Sequence, residues 1–215
     1  PNYELNDIGY IGRHVPRKRP DLPIFAVEKS GRKDIRVFNM GVDYKGEQGN
    51  PFWEDLGKKH PKQLVIIPFS SNKETARFYW KSIGANSITG IYEPFGYTMC
   101  ETLDRRVPAI VQNIDGPSEI TANVQDSVFV YEVDQDFDKD VDNFLIATNR
   151  FWDTHADDRK AMAEHARTAL DDFRPEVIKL KWKEILLNTQ PREITGLATD
   201  QKTQKTTKGS GGYGN

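Results

Sequence analysis

Apolar residues fall along this chain in short runs separated by longer stretches of helical periodicity. Ile8-Gly9-Tyr10-Ile11-Gly12 is a brief apolar run ending in glycine. That is the pattern of a buried strand handing its chain to a tight loop, which follows as Arg13-His14-Val15-Pro16-Arg17-Lys18-Arg19-Pro20. Residues 21–30 predict a helix with Asp21 as N-cap, Pro23 in the first turn and Ile24, Phe25 and Val27 as apolar contacts. Ile35 to Met40 alternates like a strand, and Tyr44 to Pro61 reads as a loop holding a short helix around Phe52, Trp53 and Leu56. Leu64-Val65-Ile66-Ile67, stopped by Pro68, is a continuous apolar run of the kind buried on both faces of a sheet.

Beyond it, Ser71 to Ser82 predicts a helix capped by Ser71 or Asn72, with Ala76, Tyr79 and Trp80 at spacings of three and four. Ser87 to Tyr92 predicts a strand, Gly96 to Arg106 a helix, and Ala109-Ile110-Val111 and Val128 to Tyr131 two more strands. Helices follow over Phe137 to Trp152, Asp157 to Phe173 and Pro175 to Leu187, and the aromatic and aliphatic residues of the last, Trp182 among them, are expected in the core. Strands alternating with helices predict an α/β domain with a mostly parallel sheet over residues 1–190. From Pro191 the apolar residues give out, which predicts a disordered polar tail over 191–215.

A length of 215 residues suits one sizeable domain and is short for two α/β domains. A net charge of -2 excludes the whole-molecule basic field of a non-specific nucleic-acid or anionic-membrane binder, so any polyanion contact must be local. The single cysteine, Cys100, rules out an internal disulfide and a cysteine-rich metal site, and it fits a reducing, cytoplasmic setting. Within the half-apolar motif helix it reads as a small packed side chain. His14, His60, His155 and His165 are scattered without helical pairing, so no metal site is expected, and His14 reads as a surface residue. No run approaches the roughly 18 to 20 apolar residues of a membrane span.

The chemistry concentrates in Ile91-Tyr92-Glu93-Pro94-Phe95-Gly96-Tyr97-Thr98-Met99-Cys100-Glu101. A strand leads through a carboxylate, a proline, an aromatic and a glycine into a helix that carries a second carboxylate. Such a turn offers free backbone N–H groups at the positive end of a helix, an anion site suited to a diphosphate. Glu101, just over one turn in, can accept hydrogen bonds from a ribose diol, while Glu93 stands on the sugar side of the phosphates. Taken singly, Arg13 and Lys18 could be a solvated basic loop, and Glu93 and Glu101 ordinary surface carboxylates.

Glu93 and Glu101, eight positions apart with Phe95-Gly96 between them, resemble the paired-glutamate motif of family 4 glycosyltransferases and their GT-B relatives. The resemblance extends to Gly12-Arg13…Lys18, similar to the loop that opens the C-terminal domain in that family, to Val107-Pro108-Ala109-Ile110-Val111, and to Asp115-Gly116-Pro117-Ser118-Glu119-Ile120. It spans roughly residues 8 to 187 and implies a Rossmann-like parallel sheet flanked by helices, the C-terminal, donor-binding domain of a GT-B enzyme. It further implies a retaining transfer from a UDP-, GDP- or ADP-linked sugar with no required cofactor or metal. Arg13 and Lys18 would bind the diphosphate, Glu101 the ribose and Glu93 the transferred sugar, with Gly12, Phe95, Gly96, Tyr97 and Thr98 framing the donor.

The N-terminal acceptor domain is expected to be absent from this chain and supplied by the rest of the polypeptide or by another chain. Position 19 is Arg where the family commonly has Gly, position 106 is Arg where Gly usually precedes the Val-Pro pair, and the second strand offers only Gly41. Two other readings remain open on the residues: a non-catalytic nucleotide-sugar-binding module within a larger assembly, and an unrelated phosphate-binding α/β enzyme.

Overall fold

The computed structural model describes residues 1–43 and 51–189. Six strands, β1 (Ile8–His14), β2 (Val37–Asp43), β3 (Leu64–Pro68), β4 (Ala85–Ile88), β5 (Ala109–Gln112) and β6 (Phe129–Tyr131), form one sheet in the order β3-β2-β1-β4-β5-β6. Every pairing is parallel, with Ile8 opposite Val37 on one side and Ala85 on the other. The order reverses between β1 and β4, and in a parallel sheet a crevice opens at that point beyond the carboxyl ends of the strands.

The helices are α1 (Leu22–Ser30), α2 (Pro51–Lys59), α3 (Lys73–Ser82), α4 (Tyr97–Asp104), α5 (Asp115–Thr121), α6 (Phe137–Asp153), α7 (Ala156–Ala166) and α8 (Pro175–Asn188). Alternation along the strands sends successive residues to opposite faces. Val37 packs with Leu22, Trp53 and Phe144 against α1, α2 and α6, whereas Phe38 packs with Tyr79, Trp80 and Ile83 against α3. On that second face Met99, Leu103 and Ile120 carry the core to α4 and α5. Every residue of β4 and of β5 is buried, as sheet-centre strands covered by helices on both faces must be.

Several expectations are corrected. β1 runs on to His14, so Arg13 and His14 sit on a strand end and not in a loop. β4 stops at Ile88 because the next residues turn away to a neighbouring segment: Thr89 Oγ1 donates to the Lys18 carbonyl (2.7 Å) and Ile91 N to that of Arg17 (2.9 Å). Asp115–Thr121, which the family resemblance implies to be a Gly-x-x-Glu turn, is helical. The helix expected to reach Phe173 ends at Ala166 and continues as a 3-10 segment over Arg167–Phe173. Trp182 is 58% exposed and Leu186 72% exposed, so α8 is not core. It packs mainly along the 3-10 segment, and among the described residues Leu180, Trp182, Ile185, Leu186 and Leu187 stay exposed. The expected loop over 44–50 and tail over 191–215 lie outside the described residues.

Arg106 and Arg19 lie in the left-handed backbone region at φ 55° and 42°, which accounts for glycine being usual there. Tyr3 Oη donates to the Arg106 carbonyl at 3.0 Å and Arg106 Nε to Glu164 at 2.6 Å, holding that turn in place. A third arginine closes the domain. Arg159, 4% exposed, donates to the carbonyls of Phe151, Tyr3, Leu5 and Trp152 and to Asn6 Oδ1, at 2.8 to 3.1 Å. Its guanidinium lies 4.0 Å from the Phe151 ring centroid. This one side chain ties the N-terminal segment to the α6–α7 junction. Arg159→Met keeps the apolar stem but strands those acceptors, and it is expected to cost about 3 kcal/mol in a urea titration, the sum of several net hydrogen bonds and their desolvation.

Candidate functional site

At the β1/β4 switch point lies a cavity of about 290 Å³ whose walls include Gly12, Arg13, Lys18, Glu93, Tyr97 and Thr98. Tyr10, Ser87, Thr89 and Gly90 complete it from the two central strands and the turn after β4. Six of the nine residues singled out from the sequence thus meet around one space. Phe95, Gly96 and Glu101 are not in its lining: Phe95 turns into the core beside Met99, Gly96 is buried at the start of α4, and Glu101 is exposed further along that helix.

The basic side is set by a 3-10 turn, Pro16–Lys18, directly after β1. Its far end is fixed by Arg19, only 7% exposed, which pairs with the fully buried Asp140 on α6. The same guanidinium donates to the carbonyls of Asp134 (2.6 Å) and Gln135 (3.1 Å), and Asp140 Oδ1 accepts from Asp134 N (3.0 Å). The left-handed conformation at Arg19 is held by this network. Arg13 is exposed at the cavity mouth with no carboxylate partner among the described residues, whereas Lys18 forms an ion pair with Glu93. Lys18 and Glu93 are both largely buried, with side chains 16% and 19% exposed.

The acidic side comes from the turn into α4. Gly96 takes φ 92°, a left-handed conformation that only glycine adopts without strain, and no side chain caps the helix it opens. The first N–H groups of α4, whose opening residues Tyr97 and Thr98 line the cavity, are thus unclaimed by a side-chain cap. A second glycine sets the loop from behind: a Cβ on Gly116 would stand 2.5 Å from Phe95 Cα, so only a bare backbone lets α5 come so close. From there Gly116 N donates to the Glu93 carbonyl (3.2 Å), and Asp115 accepts from Glu93 N (3.2 Å). Glu93 is thus gripped by backbone on one side and by Lys18 on the other.

Tyr10, which the sequence reading passed over as strand core, reaches the site with its hydroxyl, donating to the Arg13 carbonyl at 2.9 Å. Burial, reinforced by the carboxylates of Glu93 and Asp21, pushes its phenol far above the ordinary value, so it acts as a neutral hydroxyl. His14 is corrected from surface to half-buried. Its Nε2 lies 2.6 Å from Asn39 Oδ1 and its ring 4.6 Å from Trp53, making it part of the wall of an adjacent cavity. Cys100 is half-buried against the core and burial raises its thiol, in keeping with a packing role. Among the described residues no group of His, Cys, Asp or Glu is arranged to hold a metal, and no helix is long and apolar enough to cross a membrane.

Comparison with known proteins adds to this geometry. The family model for glycosyl transferases group 1 matches residues 2–169. No curated protein matches by sequence. Among solved structures, TarM of S. aureus superposes with a TM-score of 0.64 at 21% identity, over 86% of this chain and 35% of TarM. A trehalose-6-phosphate protein of E. coli bound with UDP-2-fluoro glucose gives 0.66 at 12% identity, over 86% of this chain and 45% of its own. The C-terminal domain of a group 1 glycosyl transferase, LpcC of Francisella tularensis, gives 0.55 at 17% identity, over 77% and 84%. The fold is the Rossmann-like, C-terminal domain of the GT-B type, and the chain spans less than half the length of TarM or the E. coli protein.

Asp140→Ala leaves the Arg19 guanidinium buried without its counter-charge and is expected to destabilise the chain by about 3 to 5 kcal/mol, measured by chemical denaturation.

Proposed function

The chain belongs to the group 1 glycosyl transferases, and we propose that it is the donor-binding half of a retaining enzyme that takes a sugar from a nucleoside diphosphate. The observation that carries this reading is the convergence of two cations, an uncapped helix N-terminus and a gripped carboxylate on one cavity at the switch point of the sheet. Arg13, Lys18 and the first N–H groups of α4 are suited to the diphosphate. They would stabilise the charge that develops on it as the glycosidic bond breaks, electrostatic catalysis that calls for no metal. Glu93 is suited to the hydroxyls of the sugar, and Glu101, outside the cavity on α4, to a ribose extending past the helix start.

In the unliganded chain Glu93 and Lys18 neutralise each other. An incoming diphosphate takes over Lys18, and the freed Glu93 carboxylate turns to the sugar. The base is left to UDP, GDP or ADP alike. The E. coli neighbour is bound with UDP-2-fluoro glucose, and a starch synthase IV catalytic domain of Arabidopsis thaliana is bound to ADP and acarbose. Acceptor binding falls to an N-terminal GT-B domain, in the same polypeptide or another, because sugar transfer needs both reactants positioned in one cleft.

Calorimetry with UDP-, GDP- and ADP-sugars tests the reading. Arg13→Ala and Lys18→Ala are each expected to weaken nucleoside diphosphate binding by about 1.5 to 3 kcal/mol, the scale of a charge-assisted hydrogen bond; unchanged affinity in both removes these cations from the site. Glu101→Ala is expected to weaken the free nucleoside diphosphate as well as the nucleotide sugar. Glu93→Ala is expected to spare the former, since it liberates Lys18, and to weaken only the latter. Equal behaviour of the two glutamate variants contradicts the assigned roles.

A further inference from the structure

A second concavity, of about 520 Å³, lies on the flank of the domain, between α3 and the C-terminal end of α4, and shares no lining residue with the cavity at the switch point. Its apolar lining is Trp80, Val107, Ala76 and Pro1, and every charged side chain on it is basic: Lys73, Arg77 and Lys81 on α3 and Arg105 at the C-cap of α4. No carboxylate lines it. Among the described residues none of the four cations takes part in an ion pair, although the rest of the surface is well supplied with them. On a chain of net charge -2, this is a local excess of positive charge with no internal answer.

The spacing is regular. Lys73, Arg77 and Lys81 follow one another at intervals of four residues, so they rise in steps of about 6 Å along one side of α3 and cover about 12 Å in all. Arg105 faces them across the groove, its guanidinium stacked 4.9 Å from the Trp80 ring centroid and donating through Nη1 to the Glu101 carbonyl at 3.1 Å, which fixes the fork while leaving its remaining N–H groups for a ligand. A row of this length over a concave apolar floor matches a small, multiply charged ligand better than the long backbone of a nucleic acid. A phosphate monoester carries about 1.5 to 2 negative charges at neutral pH, so two such groups balance the four cations.

We propose that the α3–α4 groove is an anion site for a compound bearing two or more phosphate groups, separate from the nucleotide cavity. The same chemistry is offered by a free oligophosphate or sugar bisphosphate and by a phosphorylated lipid headgroup. Because α4 carries Arg105 at one end and the cavity residues Tyr97 and Thr98 at the other, a ligand in the groove bears on the helix that frames the first site.

The test starts from the whole chain carrying Arg13→Ala and Lys18→Ala, so that the first cavity has lost its cations and the result does not depend on the proposed function. Tripolyphosphate is titrated by calorimetry, and vesicles containing a phosphatidylinositol bisphosphate, set against neutral phosphatidylcholine vesicles, are presented by co-sedimentation. Binding of at least one probe is expected to persist in this background, to weaken as salt is raised, and to fall about tenfold or more when Arg77→Ala and Lys81→Ala, both at exposed positions, are added. Binding of tripolyphosphate alone assigns the groove to a free ligand and binding of vesicles alone to a headgroup. The proposal is overturned if neither probe binds, if binding is already lost with Arg13 and Lys18, or if it survives the loss of Arg77 and Lys81.

Discussion

A cation buried inside a domain has to be answered in place, and Arg19 is the cation on which the candidate site hangs. Its backbone sits in a conformation that disfavours any side chain, yet its guanidinium reaches across to Asp140 and the carbonyls ahead of α6, on a helix far away in sequence. The cost of the left-handed residue, about 1 to 2 kcal/mol, is outweighed as long as the buried pair is complete. A glycine would meet the backbone requirement and leave the turn free to move. Arginine meets it under strain and anchors the turn. The position of Lys18, one residue earlier, follows from that anchor.

The other walls of the site depend on how closely backbones approach. With α5 set against the Pro94-Phe95 loop through the bare face of Gly116, Glu93 is held between two segments far apart in sequence, α5 and the turn that carries Lys18. The turn after β4 is stapled to the basic turn by Thr89 and Ile91. The two halves of the cavity, one following β1 and one following β4, therefore form one unit. Walls tied to each other in this way suit the precise placement that the proposed diphosphate would need.

Much of the fold could be read from the chain because the central strands of its sheet are buried on both faces. Ala109 to Val111 is apolar without interruption, as such a strand must be, whereas the equally apolar Leu64 to Ile67 forms the edge strand β3 with Ile66 38% exposed, correcting the burial on both faces expected of it. The motif residues were legible as chemistry for a similar reason: a glycine and two carboxylates at a strand-to-helix turn limit what the turn can bind. What escaped is long-range. Nothing local says that Lys18 faces Glu93, that Arg19 faces Asp140 or that Arg159 gathers carbonyls from residues 3 and 5, because these partners are joined only by the folded sheet. The segment of α5, a turn by resemblance, carries no helical pattern of its own because the helix is only seven residues long and leans on the surface beneath it. The apolar residues of α8 read as core because periodicity records amphipathicity and not what covers it.

The Lys18–Glu93 pair also bears on which anions the empty site admits. A bare inorganic anion that seizes Lys18 leaves the Glu93 carboxylate mostly buried and stripped of its counter-charge, a penalty that such an ion cannot repay. A ligand that brings hydroxyl donors a few ångströms from its phosphates supplies both partners at once. If the cavity takes the nucleotide sugar proposed above, the pair would disfavour phosphate and chloride through the carboxylate they would strand and not through any clash of shape.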